Sequence, residues 1–173
     1  MRRPLAAAGS AAFFVLAPGT VAVLVPWLLT GWRVEHPGTV WALLRVPGAV
    51  LVTVAAIALI AAFARFAMEG RGTPAPVAPT ERLVVGGSYR YVRNPMYVAV
   101  LGLIVGQALL LGQPRLLWYA LVVWLAVAAF VRWYEEPTLS QRFGAAYDTY
   151  RRAVPAWLPR RSAWDPGMDT TRG

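Results

Sequence analysis

Long apolar stretches broken by short polar clusters set the pattern of this chain. Four stretches carry no charged residue: Leu5–Trp32, Val46–Ala64, Asn94–Pro114 and Leu116–Val131. A helix of about 20 apolar residues crosses a bilayer, within a range of roughly 17 to 25. The first and third stretches have that length and the second is adequate. The fourth is extended by Trp133 and Tyr134, side chains that sit well at a membrane interface. The first run is too long for a signal peptide, and no A-x-A cleavage site ends it. The pattern predicts an all-α polytopic membrane protein with about four transmembrane helices, near residues 5–30, 43–68, 95–112 and 115–134.

Two polar segments interrupt this pattern. The first, EGRGTPAPVAPTERLVVGGSYRYVRNPMY, runs from Glu69 to Tyr97 and is the long connection of the chain. Pro74, Pro76 and Pro79 exclude a helix in its first half, because each removes a donor and fixes φ. Leu83–Val85 reads as a short extended run that packs back on the protein. Gly86 and Gly87 allow a tight turn, Asn94 suits a helix N-cap and Pro95 the first helical turn. The second segment, VRWYEEPTLSQRFGAAYDTYRRAVPAWLP, begins with Glu135 and Glu136 directly after the fourth apolar run. Pro137 suits the start of a new helix. Leu139, Phe143, Ala146, Tyr147 and Tyr150 then share one face, which predicts a C-terminal amphipathic helix on the cytoplasmic side. The resulting organisation is a transmembrane hairpin over 1–68, a unit over 69–159 with the long loop, helices three and four and the amphipathic helix, and a flexible tail over 160–173.

Composition fits a membrane protein, with 58% of residues hydrophobic, 14% charged and a mean hydropathy of +0.50. The net charge of +9 raises the question of nucleic acid. All seventeen basic residues are arginine, however, and most lie before helix one, between helices two and three, or after helix four. Only Arg33, Arg45 and Arg115 fall in the two other connections. That asymmetry is a topology signal, an even number of spans with both termini cytoplasmic, and it speaks against a nucleic-acid partner; the expected location is a plasma membrane. Seventeen arginines without lysine point to a GC-rich bacterial genome. Cysteine is absent, which excludes disulfides, thiolate nucleophiles and cysteine-bound metals. The lone His36, in an outer loop, reads as a solvent-exposed residue.

The residues alone leave two readings of R-N-P-M-Y open, a membrane anchor or half of an active site. Adjacent carboxylates at a membrane boundary cost free energy unless paired, so Glu135 and Glu136 are functional candidates. Taken together, LVVGGSYRYVRNPMY followed by EEP and then FGAAYDTYRRAVPAWLP resembles the isoprenylcysteine carboxyl methyltransferase and phospholipid methyltransferase superfamily, over roughly residues 70 to 159. The resemblance implies an integral-membrane enzyme that uses S-adenosylmethionine. It implies cofactor contacts at Glu81, Arg82, Leu83, Val84, Tyr89, Asn94, Pro95, Met96, Tyr97, Glu135 and Glu136. Glu136 and Arg132 are the catalytic candidates. Many relatives carry histidine where this chain has Asn94, and the substrate-contacting arginine of the isoprenylcysteine branch maps onto Val131. The expected acceptor is therefore a membrane lipid or a membrane-partitioned small molecule.

The chemistry of the residues is compatible with that expectation. Backbone groups of Leu83–Val85 suit an adenine edge, Glu135 suits ribose hydroxyls or an ammonium, and Asn94, Tyr97 and a helix N-terminus suit a carboxylate. Methyl transfer is an in-line displacement, so catalysis rests mainly on alignment. An ammonium acceptor must also lose a proton, for which Glu136 is the nearest candidate. Two other classes compete: an NADPH-dependent membrane reductase of the sterol-reductase type and a non-enzymatic membrane protein of the same fold. Gly102 and Gly106, spaced i and i+4, fit either close helix packing or the lining of a lateral substrate opening.

Overall fold

The computed structural model describes residues 16–35, 38–70 and 83–165, with residues 66–70 by backbone alone. His36, Glu81, Arg82 and the first part of helix one lie outside the described residues. Five helices follow one another: α1 Leu16–Thr30, α2 Thr39–Gly70, α3 Pro95–Leu111, α4 Arg115–Phe143 and α5 Ala145–Ala153. A 3-10 turn, Gly87–Arg90, precedes α3, and no strand occurs among the described residues. Thr39–Arg65 of α2 and all of α4 are long and apolar enough to cross a membrane, while α1 and α3 are shorter apolar helices.

The surface of α2 is inverted relative to that of a water-soluble protein. Val40, Leu43, Val46, Val50, Val54, Ile57 and Ile60 are all exposed, whereas its buried positions are small: Gly48, Ala55 and Ala62. Small residues let α3 come close. A Cβ on Gly106 would stand 2.7 Å from Val52 Cγ2 and 2.9 Å from the Val52 backbone nitrogen, and one on Gly48 would stand 2.6 Å from the Leu110 nitrogen. Gly102 likewise faces Ala55. These glycines meet the opposing helix rather than an opening, so packing is the reading that holds. The main core lies on the other side of α3, where Val100, Ile104 and Ala108 pack with Ala22 of α1 and Leu116 and Ala120 of α4.

Two of the helices contain a π turn, Thr20–Leu24 in α1 and Val131–Glu135 in α4. In α1 the Val25 N–H bonds back to Thr20 O, which deprives Val21 O of its usual donor. Pro26 has no N–H, so Ala22 O loses its donor as well. Both carbonyls are served by side chains from neighbouring helices. The Tyr119 hydroxyl donates to Val21 O at 2.9 Å, and Gln107 Nε2 donates to Ala22 O at 2.7 Å. Trp32, held at a positive φ of 52°, donates its indole N–H to Gln107 Oε1. The same end is tied by Gln113 to Arg33 O and by an ion pair between Arg115 and Glu35.

The second polar segment departs from the sequence pattern in two respects. Pro137 does not start a new helix, because the π turn before it carries α4 on without a break to Phe143. The break comes instead at Gly144, whose φ of 52° and ψ of −130° lie in a region that only glycine enters freely. Residues 160–165, expected in the tail, pack against the 3-10 turn. Arg160 N–H bonds Tyr91 O, Trp164 N–H bonds Arg90 O, and the Trp164 ring lies against Tyr150.

Candidate active site

The start of α3 and the end of α4 meet at one end of the helical assembly, and the two polar sequence segments meet with them. Pro95 occupies the first turn of α3, as its fixed φ and missing N–H favour. Asn94 stands at the N-cap position, but its side chain does not cap the helix. It is buried and its Nδ2 donates to Ala156 O at 3.1 Å. One turn into the helix, the Tyr97 hydroxyl donates to Glu135 Oε2 at 3.3 Å.

The π turn decides where the carboxylates fall. Val131 and Glu136 are both buried although they are five residues apart. In a regular α-helix such a pair would diverge by about 140° around the axis. The wider turn, closed by Glu136 N–H on Val131 O, keeps them on one side and sets Glu135 beside them.

Glu136 is the centre of an ion-pair network. Its Oε1 accepts from Arg93 Nη1 at 2.7 Å, and its Oε2 lies 3.2 Å from Arg151 Nη2. The Glu136 and Arg93 side chains are only 7% and 11% exposed, so each offsets a charge that burial would otherwise make costly. Arg93 Nη1 also reaches the Tyr147 hydroxyl at 3.2 Å, and its backbone N–H bonds Pro155 O. The Tyr150 hydroxyl donates to Tyr89 O at 2.7 Å. Burial pushes the Tyr147 and Tyr150 phenols above their ordinary range, against the opposing pull of Arg93, so both remain protonated, Tyr147 accepting from Arg93 and Tyr150 donating to Tyr89 O. Arg93 Nε and Ser88 Oγ are buried without a hydrogen-bond partner among the described residues.

The profile of the phospholipid methyltransferase family matches residues 43–146 of this chain, well over half its length. The chain belongs to the phospholipid methyltransferase family. Comparison with curated proteins and with solved structures returned no match. Membership places the chain among membrane methyltransferases, a family that generally uses S-adenosylmethionine. The matched span contains Arg93 to Tyr97 and the Glu135–Glu136 pair. It ends just before Tyr147, Arg151 and the segment that follows α5.

Within this phospholipid methyltransferase family member, the sequence-derived candidates separate into groups. Asn94, Pro95, Met96, Tyr97, Glu135 and Glu136 converge at the start of α3 and the π turn of α4, with Tyr89 linked to them through Tyr150. Leu83 packs against the Tyr147 and Tyr150 cluster, and Val84 is buried. Arg132 is exposed on the π turn and takes no part in the network around Glu136. Glu81 and Arg82 lie outside the described residues. Three members of the network were not singled out from the sequence: Arg93, Tyr147 and Arg151. The available signal was the need of two boundary carboxylates for cations. Arg93, directly before Asn94 and Pro95, was the candidate to supply one.

Proposed function

We propose that this chain is an integral-membrane methyltransferase that moves the methyl group of S-adenosylmethionine to a lipid or membrane-partitioned acceptor at the cytoplasmic face. The observation that carries the reading is the junction of two motifs: Tyr97 on Glu135 and Arg93 on Glu136 join the start of α3 to the π turn of α4. In this reading α1 to α4 all span the bilayer, both termini are cytoplasmic, and the membrane is a bacterial plasma membrane. The arginine distribution supports that orientation.

The residues present suit the cofactor. Among the described residues Arg93 Nε is a buried cationic donor without an acceptor, and the first N–H groups of α3 have no intrahelical partner. Both favour the carboxylate of its amino-acid end. Glu135, with one hydrogen bond from Tyr97, suits the ammonium or the ribose hydroxyls. The backbone of Leu83–Val85 remains the candidate for the adenine edge. When bound, the cofactor supplies an electrophilic methyl group on a sulfonium.

The chain's own work is alignment and proton handling. Both oxygens of Glu136 are engaged by guanidinium groups, which makes it a brace for Arg93 and Arg151. Glu135 is the better acceptor for the proton of an ammonium substrate, and a carboxylate substrate needs no base. Tyr97 holds Glu135 in place.

Stabilisation in detergent tests the cofactor. S-adenosylhomocysteine should raise the melting temperature, and NADPH should not. The reverse would favour the membrane reductase, and no effect of either a non-enzymatic protein. Labelled methyl groups should then appear in membrane lipid extract. Reporter fusions after Gly38 and Gln113 should report the outside, and those after Gly72 and Gly173 the inside. An inside signal at Gly38 would overturn the topology.

A further inference from the structure

From the last turn of α5 onward the sequence is symmetric in character: Arg151-Arg152, then Ala-Val-Pro-Ala-Trp-Leu-Pro, then Arg160-Arg161. In the structure its two ends are drawn together. Arg160 Nη1 donates to Ala153 O at 3.1 Å, and the Arg160 N–H bonds Tyr91 O. The near side is fixed to the site, with Pro155 O accepting from Arg93 N–H and Ala156 O from Asn94 Nδ2. The far side projects. Trp157 lies edge-on to Trp124, ring centroids 6.4 Å apart, and Leu158 beside it is 80% exposed.

Trp124 sits eleven residues before Glu135 on α4, about 16 Å along the helix axis towards the middle of its apolar run. Leu121 and Leu125, its neighbours on α4, are exposed as well. The loop tip is thus continuous with the apolar surface of a helix long enough to cross a membrane. At the neck the charges are in excess. Arg151 is committed to Glu136 and Arg160 to Ala153 O, while among the described residues Arg152 makes only a long contact of 3.4 Å with Thr149 Oγ1. Arg161 is exposed and has no partner among the described residues. The nearby acids are already engaged, Asp148 with Ser140 and Asp165 with Arg90.

We propose that residues 153–160 form a loop that dips into the bilayer beside α4, while Arg152 and Arg161 at its neck bind acidic phospholipid headgroups. Apolar tip and basic neck then match the two layers of one leaflet, hydrocarbon below and phosphate above. Because Pro155 and Ala156 hold Arg93 and Asn94, the depth of the loop is transmitted to the turn that begins α3. The inference rests on α4 as a membrane span and not on the identity of the cofactor.

The absence of cysteine makes a direct depth measurement available. Leu158→Cys and Leu125→Cys, each spin-labelled, are placed in vesicles of phosphatidylethanolamine with increasing phosphatidylglycerol. Accessibility to oxygen is compared with accessibility to a water-soluble nickel chelate. Both labels should be oxygen-accessible and protected from nickel. The oxygen-to-nickel ratio at Leu158 should rise by about twofold or more with phosphatidylglycerol, and this response should vanish in Arg152→Gln/Arg161→Gln. Pro159→Cys provides a second tip position should the first label disturb folding. An aqueous label at both tip positions with a lipid-exposed label at Leu125 overturns the loop and leaves the span standing. Aqueous labels at tip and Leu125 alike overturn both. A lipid-exposed tip whose phosphatidylglycerol response survives the double substitution overturns the role of the arginines.

Discussion

The π turns of α1 and α4 are built alike and used differently. Each spans five residues and is followed, two positions on, by a proline: Thr20–Leu24 with Pro26, and Val131–Glu135 with Pro137. In both, the shifted N–H bond and the missing proline N–H leave two consecutive carbonyls without their helical donors. In α1 these are Val21 and Ala22, and Tyr119 and Gln107 serve them from neighbouring helices. In α4 they are Arg132 and Trp133, both exposed, Trp133 at 79%. There the turn's product is instead the inward pair Glu135 and Glu136. The same local distortion is a packing joint where its neighbours offer an amide and a phenol. It becomes a candidate active site where they offer two guanidinium groups and a phenol.

If that contrast holds, removing Glu136 should have the largest effect. Glu136→Ala leaves Arg93 buried without its counter-charge and should lower stability by about 3 to 5 kcal/mol, read as a fall in melting temperature. A fall no larger than that of an exposed carboxylate such as Glu35→Ala would erase the difference between the two turns.

Glu135→Gln should separate site from scaffold. It should weaken S-adenosylhomocysteine binding by about 1.5 to 3 kcal/mol in calorimetry, with little change in melting temperature. Unchanged affinity would place the ligand elsewhere.

Gln107→Leu applies the converse test to the α1 turn. It strands Ala22 O and the Trp32 indole, which should cost about 1 to 3 kcal/mol of stability while cofactor affinity stays as it was. Coupled loss of affinity would show that the two turns are not independent. Tyr119→Phe should be the mildest, about 0.5 to 1.5 kcal/mol, since one hydrogen bond is lost from a partly buried group.

The boundaries of α3 were readable because they depend on local rules. Pro95 marks the start and Gly112, in a left-handed cap conformation, marks the end, against an expected span of 95–112. The π turns were not read, although each announces itself with a proline. A shift of one residue in hydrogen bonding barely alters the apolar pattern over a turn, and Pro137 serves equally well as a helix start. The pairing of Arg93 with Glu136 was not legible, because the two lie 43 residues apart. Asn94 was read as a cap for the same reason: only the fold brings Ala156 O to its amide. Residues 160–165 looked like a tail because backbone hydrogen bonds hold much of their contact with the Arg90–Tyr91 turn, and these leave no trace in side-chain identity.

That last contact has a consequence for biosynthesis. Arg90 waits for Trp164, made 74 residues later, and Asn94 waits for Ala156, made 62 residues later. The helical hairpin of α3 and α4 has to be synthesised in between. The turn that begins α3 therefore cannot take its final form as it leaves the ribosome. Insertion comes first and the polar end is closed afterwards, so a ribosome stalled after α4 would leave a chain with its apolar helices made and Arg90 and Asn94 still unpaired.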